Sequence, residues 1–192
     1  MKQLIIIALC LLCVSTQAQK RIIFSSQNYV GLLEGEQGSA FQLQTINGIK
    51  YKGCFVGVGT GLDWYYRRSI PAFVSLNKDL FKKERRSFFV VADAGANFPW
   101  RDDKNYNLWG YATEKSLPGL YWSGGLGYKI GMGQGNDALL LQVAFSYKHI
   151  QEKATNIYYY PIVMIAPPRQ EEVTNRFDYY LRRLSLKLGW NF

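Results

Sequence analysis

The residue best suited to acid–base chemistry in this chain is its single histidine, His149. A hydrolase that uses a serine nucleophile needs that serine within reach of a base. Two positions after His149, on the same face of an extended strand, stands Gln151 rather than a serine. His149 also shares the parity of the apolar residues that precede it. We therefore interpret it as a residue at an interface and predict no catalytic residues.

Glycine and cysteine suggest two other kinds of site. Gly57, Gly59 and Gly61 are spaced G-x-G-x-G, which differs from the G-x-G-x-x-G of dinucleotide-binding loops, and no helical pattern follows. Glycines on the inner face of a tight barrel permit bending and make room for bulky neighbours. Cys54 has no partner cysteine outside the first eighteen residues and no metal-ligand spacing around it. The sequence predicts neither a cofactor nor a metal.

Charged side chains recur on the polar faces of the predicted strands. Three aspartates on these faces have several cationic residues as potential partners. Two interpretations remain open: an internal salt-bridge network that fills a narrow lumen, which we favour, or a ligand-binding site. The residues concerned are Lys50, Asp63, Asp79, Asp93, Lys129, Lys148, Arg183 and Lys187.

The first eighteen residues have the layout of a secretory signal peptide. Lys2 precedes an apolar run of eleven residues from Leu4 to Val14, and small residues stand before Gln19. That run is too short to span a bilayer as a helix. Leucine precedes both leader cysteines, which argues against a lipoprotein. We expect cleavage after Ala18, with a signal peptide at 1–18 and one domain at 19–192.

Nearly all of the remaining chain has an apolar period of two, which indicates β-strands. In the last segment Leu184, Leu186, Leu188 and Trp190 fall on one face, opposite the face that includes Arg183. Eight such segments are present, with Pro71 near the start of the fourth. They span 27–34, 41–51, 55–66, 70–81, 88–98, 119–132, 138–149 and 183–192.

Connection lengths add an independent signal. The second, fourth and sixth gaps are short, and so are the first and third, whereas the fifth and seventh, about 99–118 and 150–178, are long, so the alternation is partial. Outer-membrane barrels alternate short periplasmic turns with longer outer loops. Both long gaps fall on the same side, as a barrel with both termini in the periplasm requires.

The remaining question is which face points inward. The chain has 14 tyrosines and 11 phenylalanines, and no later segment is apolar enough for a membrane-spanning helix. Aromatic residues gather near strand ends, as in interfacial girdles. We predict an all-β, eight-stranded antiparallel up-and-down transmembrane β-barrel with apolar residues toward lipid. The net charge of +9 is scattered, which favours anionic lipid and lipopolysaccharide over nucleic acid as partners.

The chain resembles known proteins at its end and across its length. The alternating last strand with Trp190 and Phe192 resembles the C-terminal signal read by the barrel-assembly machinery. The segments 44–48, 57–63, 70–73 and 92–95 resemble small outer-membrane β-barrel proteins of Bacteroides-type Gram-negative bacteria, including PorT-like proteins. The resemblance implies fold and an outer-membrane location. It implies no catalytic residues.

The expected function is a structural or protein-interaction role through the outer loops, with a lumen filled by side chains. Eight strands leave an interior just wide enough to be filled in this way, so an open porin is not expected. The alternatives are an accessory role in secretion, as in PorT-like proteins, and a lipid-modifying enzyme, which we disfavour. The loop 151–178 is apolar around 158–168. It is either a hairpin extension or a contact surface for another envelope protein.

Overall fold

The fold is almost entirely β-structure. The computed structural model describes residues 22–100, 104–107, 110–132, 137–159 and 170–192, and in these ranges no helix is long and apolar enough to cross a membrane. The strands are β1 (Ile23–Gly35), β2 (Gly38–Tyr51), β3 (Cys54–Asp63), β4 (Ser69–Lys83), β5 (Arg86–Pro99), β6 (Lys104–Asn107), β7 (Gly110–Leu117), β8 (Gly119–Gly131), β9 (Ala138–Tyr159) and β10 (Gln170–Asn191).

Eight of these strands close into a ring. Each of β1 to β4 pairs antiparallel with the next strand, β5 pairs with β8, β8 with β9 and β9 with β10. The ring closes between β10 and β1, in a register that runs from Gln27 opposite Asn191 to Gly35 opposite Arg183. Every predicted strand overlaps one strand of this ring. The predicted eight-stranded antiparallel up-and-down barrel is confirmed.

The two ends of the barrel differ. One end, here called the terminus end, carries residues 22 and 192 and the connections 52–53, 84–85 and 132–137. The first of these is a two-residue hairpin loop in which Lys52 and Gly53 both have positive φ, at 46° and 77°, as a type I′ turn requires. The opposite end, here called the loop end, carries the short connection 36–37 between β1 and β2, the connection 64–68 between β3 and β4, and the two longest connections, between β5 and β8 and between β9 and β10.

An outer sheet extends the barrel at the loop end. Strands β9 and β10 have 22 residues each and stay paired out to Tyr159 opposite Gln170. Strand β7 pairs with the same part of β9, from Leu117 opposite Gln151 onwards, and β6 pairs with β7. The fifth gap was expected to be a loop; this was wrong, because 104–107 and 110–117 are strands.

Candidate functional site

The two faces of the barrel wall have opposite polarity. On β10, Leu184, Leu186 and Leu188 are 53%, 57% and 51% exposed on the outside, whereas Arg183 and Lys187 point inward and are 1% and 3% exposed. Alternation along the strand places the two sets on opposite sides of the sheet. The candidate site is therefore the interior of the barrel, here called the lumen.

The most deeply buried charges lie toward the loop end. Asp63 pairs with Arg183, Oδ2 to NH1 at 2.5 Å, and with Lys148, Oδ1 to Nζ at 3.3 Å, and all three side chains are 0% exposed. Lys148 also donates to the carbonyl oxygens of Tyr65 and Arg67, at 3.0 and 2.9 Å. One carboxylate thus faces two cations, and the second cation tethers the β3–β4 connection. We call these three charged residues the Asp63 cluster.

A second buried pair lies nearer the terminus end than the Asp63 cluster. Lys187 Nζ is 3.9 Å from Asp93 Oδ2, and both side chains are almost fully buried. Neither carboxylate oxygen of Asp93 accepts a hydrogen bond from the residues that the structure describes. The ammonium of Lys187 also lies 6.0 Å from the ring centre of Tyr29. Lys187 is therefore the counter-charge of a carboxylate that has few other contacts.

The third group lies at the mouth of the terminus end. Lys50 Nζ binds Asp79 Oδ2 at 2.8 Å, and Lys129 lines the same small cavity as these two residues. The side chains of Lys50 and Asp79 are partly exposed, at 27% and 17%. The eight charged residues predicted from sequence therefore all face the lumen, in three separate groups.

An apolar layer that was not predicted from the sequence lies inside the barrel and borders the mouth. It consists of Tyr29, Ile46, Phe55, Phe73, Phe89, Val91, Tyr121 and Leu140, all buried. Several of its rings occupy the space beside an inward glycine. A Cβ added to Gly59 would lie 2.6 Å from the ring of Phe73, and a Cβ on Gly127 or Gly189 would collide with Phe89 or Tyr29. The inner glycines make room for bulky neighbours.

This layer closes the lumen. The small cavity between Phe55, Phe89, Leu140 and the mouth lysines measures about 10 Å³, roughly what a single water needs. A second apolar group, formed by Leu33, Tyr65, Ile150 and Leu181, lies toward the loop end. In the described residues, buried apolar side chains therefore occupy the lumen at both of these levels.

Comparisons with known proteins identify the fold. No family model matches the chain, and no curated protein matches it. The solved structure of Neisserial surface protein A is similar over 88% of this chain and 94% of its own, with a TM-score of 0.53 and 11% identity. The outer membrane protein AlkL, solved in DMPC lipid bilayers, matches over 88% of both chains with a TM-score of 0.44 and 13% identity. At 11% identity the first likeness shows a shared barrel fold.

The remaining residues singled out from sequence lie outside the lumen. His149 Nε2 is 3.0 Å from Asp178 Oδ1, which also accepts a hydrogen bond from Gln151 at 3.0 Å, and its ring stacks on Tyr180 at 5.0 Å. Cys54 accepts a contact of 3.1 Å from Lys78 Nζ on the outer wall. No group of three or more potential metal-ligating side chains occurs in the described ranges.

The end of the last strand is held in the ring. The backbone of Phe192 exchanges two hydrogen bonds with Ser26, at 2.8 and 3.0 Å, and the side chains of Trp190 and Phe192 are 56% and 55% exposed on the outside. Near them, an apolar groove of about 700 Å³ on the outer wall is lined by residues including Val30, Leu43 and Leu188. The outer wall is thus apolar across the β10–β1–β2 region.

Proposed function

We propose that this chain is an outer-membrane β-barrel protein with a closed lumen and a structural or protein-interaction role. The observation that carries the proposal is the reversed polarity of the barrel, with leucines exposed outside and arginine, lysine and aspartate buried inside. In hydrocarbon, a closed ring of strands satisfies every backbone hydrogen bond, and an apolar outer wall avoids the cost of desolvating polar groups. The shared fold with Neisserial surface protein A supports this proposal.

Location and export are tested together. We expect the protein in the outer-membrane fraction, in contact with lipopolysaccharide and migrating faster on gels before heating than after it. The N-terminus of the mature protein is expected at Gln19, after removal of the signal peptide, and insertion is expected to require the barrel-assembly machinery through Trp190 and Phe192. Recovery as a soluble periplasmic protein would contradict the proposal.

The outer sheet supports an interaction role. Strand β1 pairs with β10 only as far as Arg183, so residues 170–182 pair with β9 on one side and with no described strand on the other. Thirteen residues correspond to roughly 40 Å of strand edge. Val173, Phe177 and Tyr180 on this edge strand are 36%, 48% and 60% exposed. An exposed edge with apolar side chains is a template for an extended segment of a partner.

This role is tested by shortening the outer hairpin. The two interpretations of loop 151–178 now concern different parts of it, because 151–159 and 170–178 form the hairpin extension, whereas most of the apolar stretch 158–168 lies outside the described residues. Deletion of 158–168 is expected to leave barrel stability unchanged and to abolish recovery of an envelope partner from detergent-extracted membranes. Substitution of Glu36 by alanine, in the short β1–β2 turn at the same end, serves as the control. Unchanged partner recovery in the deletion variant would argue against the proposal.

A second candidate function is an accessory role in secretion, as in the PorT-like proteins of Bacteroides-type bacteria. The free edge of the outer sheet is also suited to a secretion partner, and it is the observation that favours this role. Deletion of the gene is then expected to reduce the set of secreted proteins, and the deletion of 158–168 is expected to reproduce the defect. A normal secretome in both strains would eliminate this candidate.

We propose no enzymatic activity. His149 is engaged by Asp178 and stacked on Tyr180 outside the lumen, an arrangement that fixes the ring in the strand pair. The competing proposal, a lipid-modifying barrel enzyme, predicts an altered lipid A mass spectrum after His149→Ala. We expect the spectrum of that variant to equal the spectrum of the wild type.

A further inference from the structure

The mouth of the terminus end contains a charged pocket that the proposed function does not use. Its volume is about 200 Å³, which accommodates a small ion with several waters, since one water occupies about 30 Å³ of liquid. Five cationic and three acidic side chains line it, an excess of two positive charges. They are Lys50, Lys82, Arg85, Arg86, Lys129, Asp79, Glu84 and Asp137.

One cation of this pocket, Lys129, has no carboxylate of its own. Asp79 is bound by Lys50 at 2.8 Å, whereas Lys129 forms no ion pair with a carboxylate in the part of the chain that the structure describes. Lys129 lines both this pocket and the small cavity beneath it together with Lys50 and Asp79, and it is repelled by Lys50 and Lys82 and attracted by Asp79. Adjacent ammonium groups repel each other, and the repulsion is relieved when an anion accepts hydrogen bonds from both.

The apolar floor of the pocket strengthens both the repulsion between the lysines and their attraction for an anion. Phe55, Phe89 and Leu140 lie directly beneath Lys50 and Lys129, and they belong to the apolar layer that closes the lumen. Charges beside apolar side chains are less screened than charges in water. The closed floor also means that an anion bound here cannot pass through the barrel.

We propose that this pocket is a binding site for a phosphate group, held by Lys50 and Lys129 and assisted by Arg85 and Arg86 at the rim. Arginine and lysine are the usual protein partners of phosphate oxygens. The site is independent of the outer sheet and of any partner bound there, because it lies at the other end of the barrel. The phosphate is either free in solution or part of a lipid headgroup.

The experiment measures the thermal unfolding midpoint of the full-length protein in a neutral detergent, with increasing inorganic phosphate against chloride at equal ionic strength. Wild-type protein is expected to be stabilised by phosphate. Lys129→Met is expected to weaken phosphate binding about tenfold or more, since one charge-assisted hydrogen bond is lost, and Lys129→Arg to retain it. Lys78→Met, a change of an exposed lysine on the outer wall nearby, is the control and is expected to bind as the wild type does.

Asp79→Asn provides a second, opposite variant. It removes the carboxylate that competes for Lys50, so phosphate binding is expected to strengthen several-fold. The source of the phosphate is distinguished by repeating the measurement in nanodiscs of anionic phospholipid. If a lipid headgroup occupies the pocket, added phosphate does not raise the unfolding midpoint further. If the ligand is free phosphate, the midpoint rises as it does in detergent. No phosphate-specific stabilisation of the wild type, or equal weakening by Lys129→Met and Lys78→Met, would overturn the proposal.

Discussion

Replacing Asp63 by asparagine removes the one negative charge of the Asp63 cluster. Asparagine keeps an oxygen for the hydrogen bond from the Tyr65 amide, which is 2.8 Å long in the wild type, so the change isolates the charge. It leaves Arg183 and Lys148 as two fully buried cations without a carboxylate. Removing one partner of a buried ion pair costs about 3–5 kcal/mol. We expect the free energy of unfolding to fall by that amount.

The assay is reversible denaturant unfolding of the purified protein in lipid vesicles, followed by tryptophan fluorescence. Asp79→Asn is the matched control, because its pair with Lys50 is partly exposed and such pairs contribute about 1 kcal/mol or less. Lys148→Met removes one of the two cations instead of the carboxylate. Because Arg183 still neutralises Asp63 in that variant, we expect its free energy of unfolding to fall less than that of Asp63→Asn. Equal effects of Asp63→Asn and Asp79→Asn would refute the assignment of Asp63 to a dry interior.

Three further predictions concern the packing of the lumen. Gly59→Ala places a methyl group against the Phe73 ring and is expected to destabilise the barrel by about 1–3 kcal/mol in the same unfolding assay. Gly124→Ala is the control: nothing lies within 4 Å of the new Cβ, so stability is expected to change far less. Lys187→Met leaves Asp93 without its counter-charge and is expected to lower the unfolding midpoint more than Lys78→Met does. Planar bilayers containing the wild-type protein are expected to show no stable conductance, and porin-like open currents would contradict the closed lumen.

The barrel could be predicted from the sequence because apolar residues recur with a period of two along its strands. On β10 the alternation of Leu184, Leu186 and Leu188 with charged residues leaves one way to place the strand, since a shift of one residue would exchange the two faces. The inward position of the charged residues follows from the same alternation. Which of them pair was not predictable, because pairing across the ring depends on the stagger of the strands, which brings Asp63 to Arg183 over a separation of 120 residues.

The apolar layer of the lumen was missed for a related reason. Large apolar side chains were expected on the outside, yet Phe73 and Phe89 share the parity of inward residues such as Ser75 and Asp93. Their position in the alternation along the strand could have indicated that these two rings point inward. The inner glycines were a second indication, because Gly59 and Gly127 leave the space that these rings occupy. The outer sheet was less accessible to prediction, since the short strands β6 and β7 depend on pairing with the extended β9.

The central claim is that leucines on the outer wall contact lipid while the inner wall is shielded from it. Methyl NMR of the protein in nanodiscs that contain a lipid with a spin label on its acyl chain tests this claim without any mutation. The methyl signals of Leu184, Leu186 and Leu188 are expected to broaden strongly, and those of Ile46 and Leu140 to stay sharp. Broadening of Ile46 and Leu140 with sharp signals from the three β10 leucines would contradict the account.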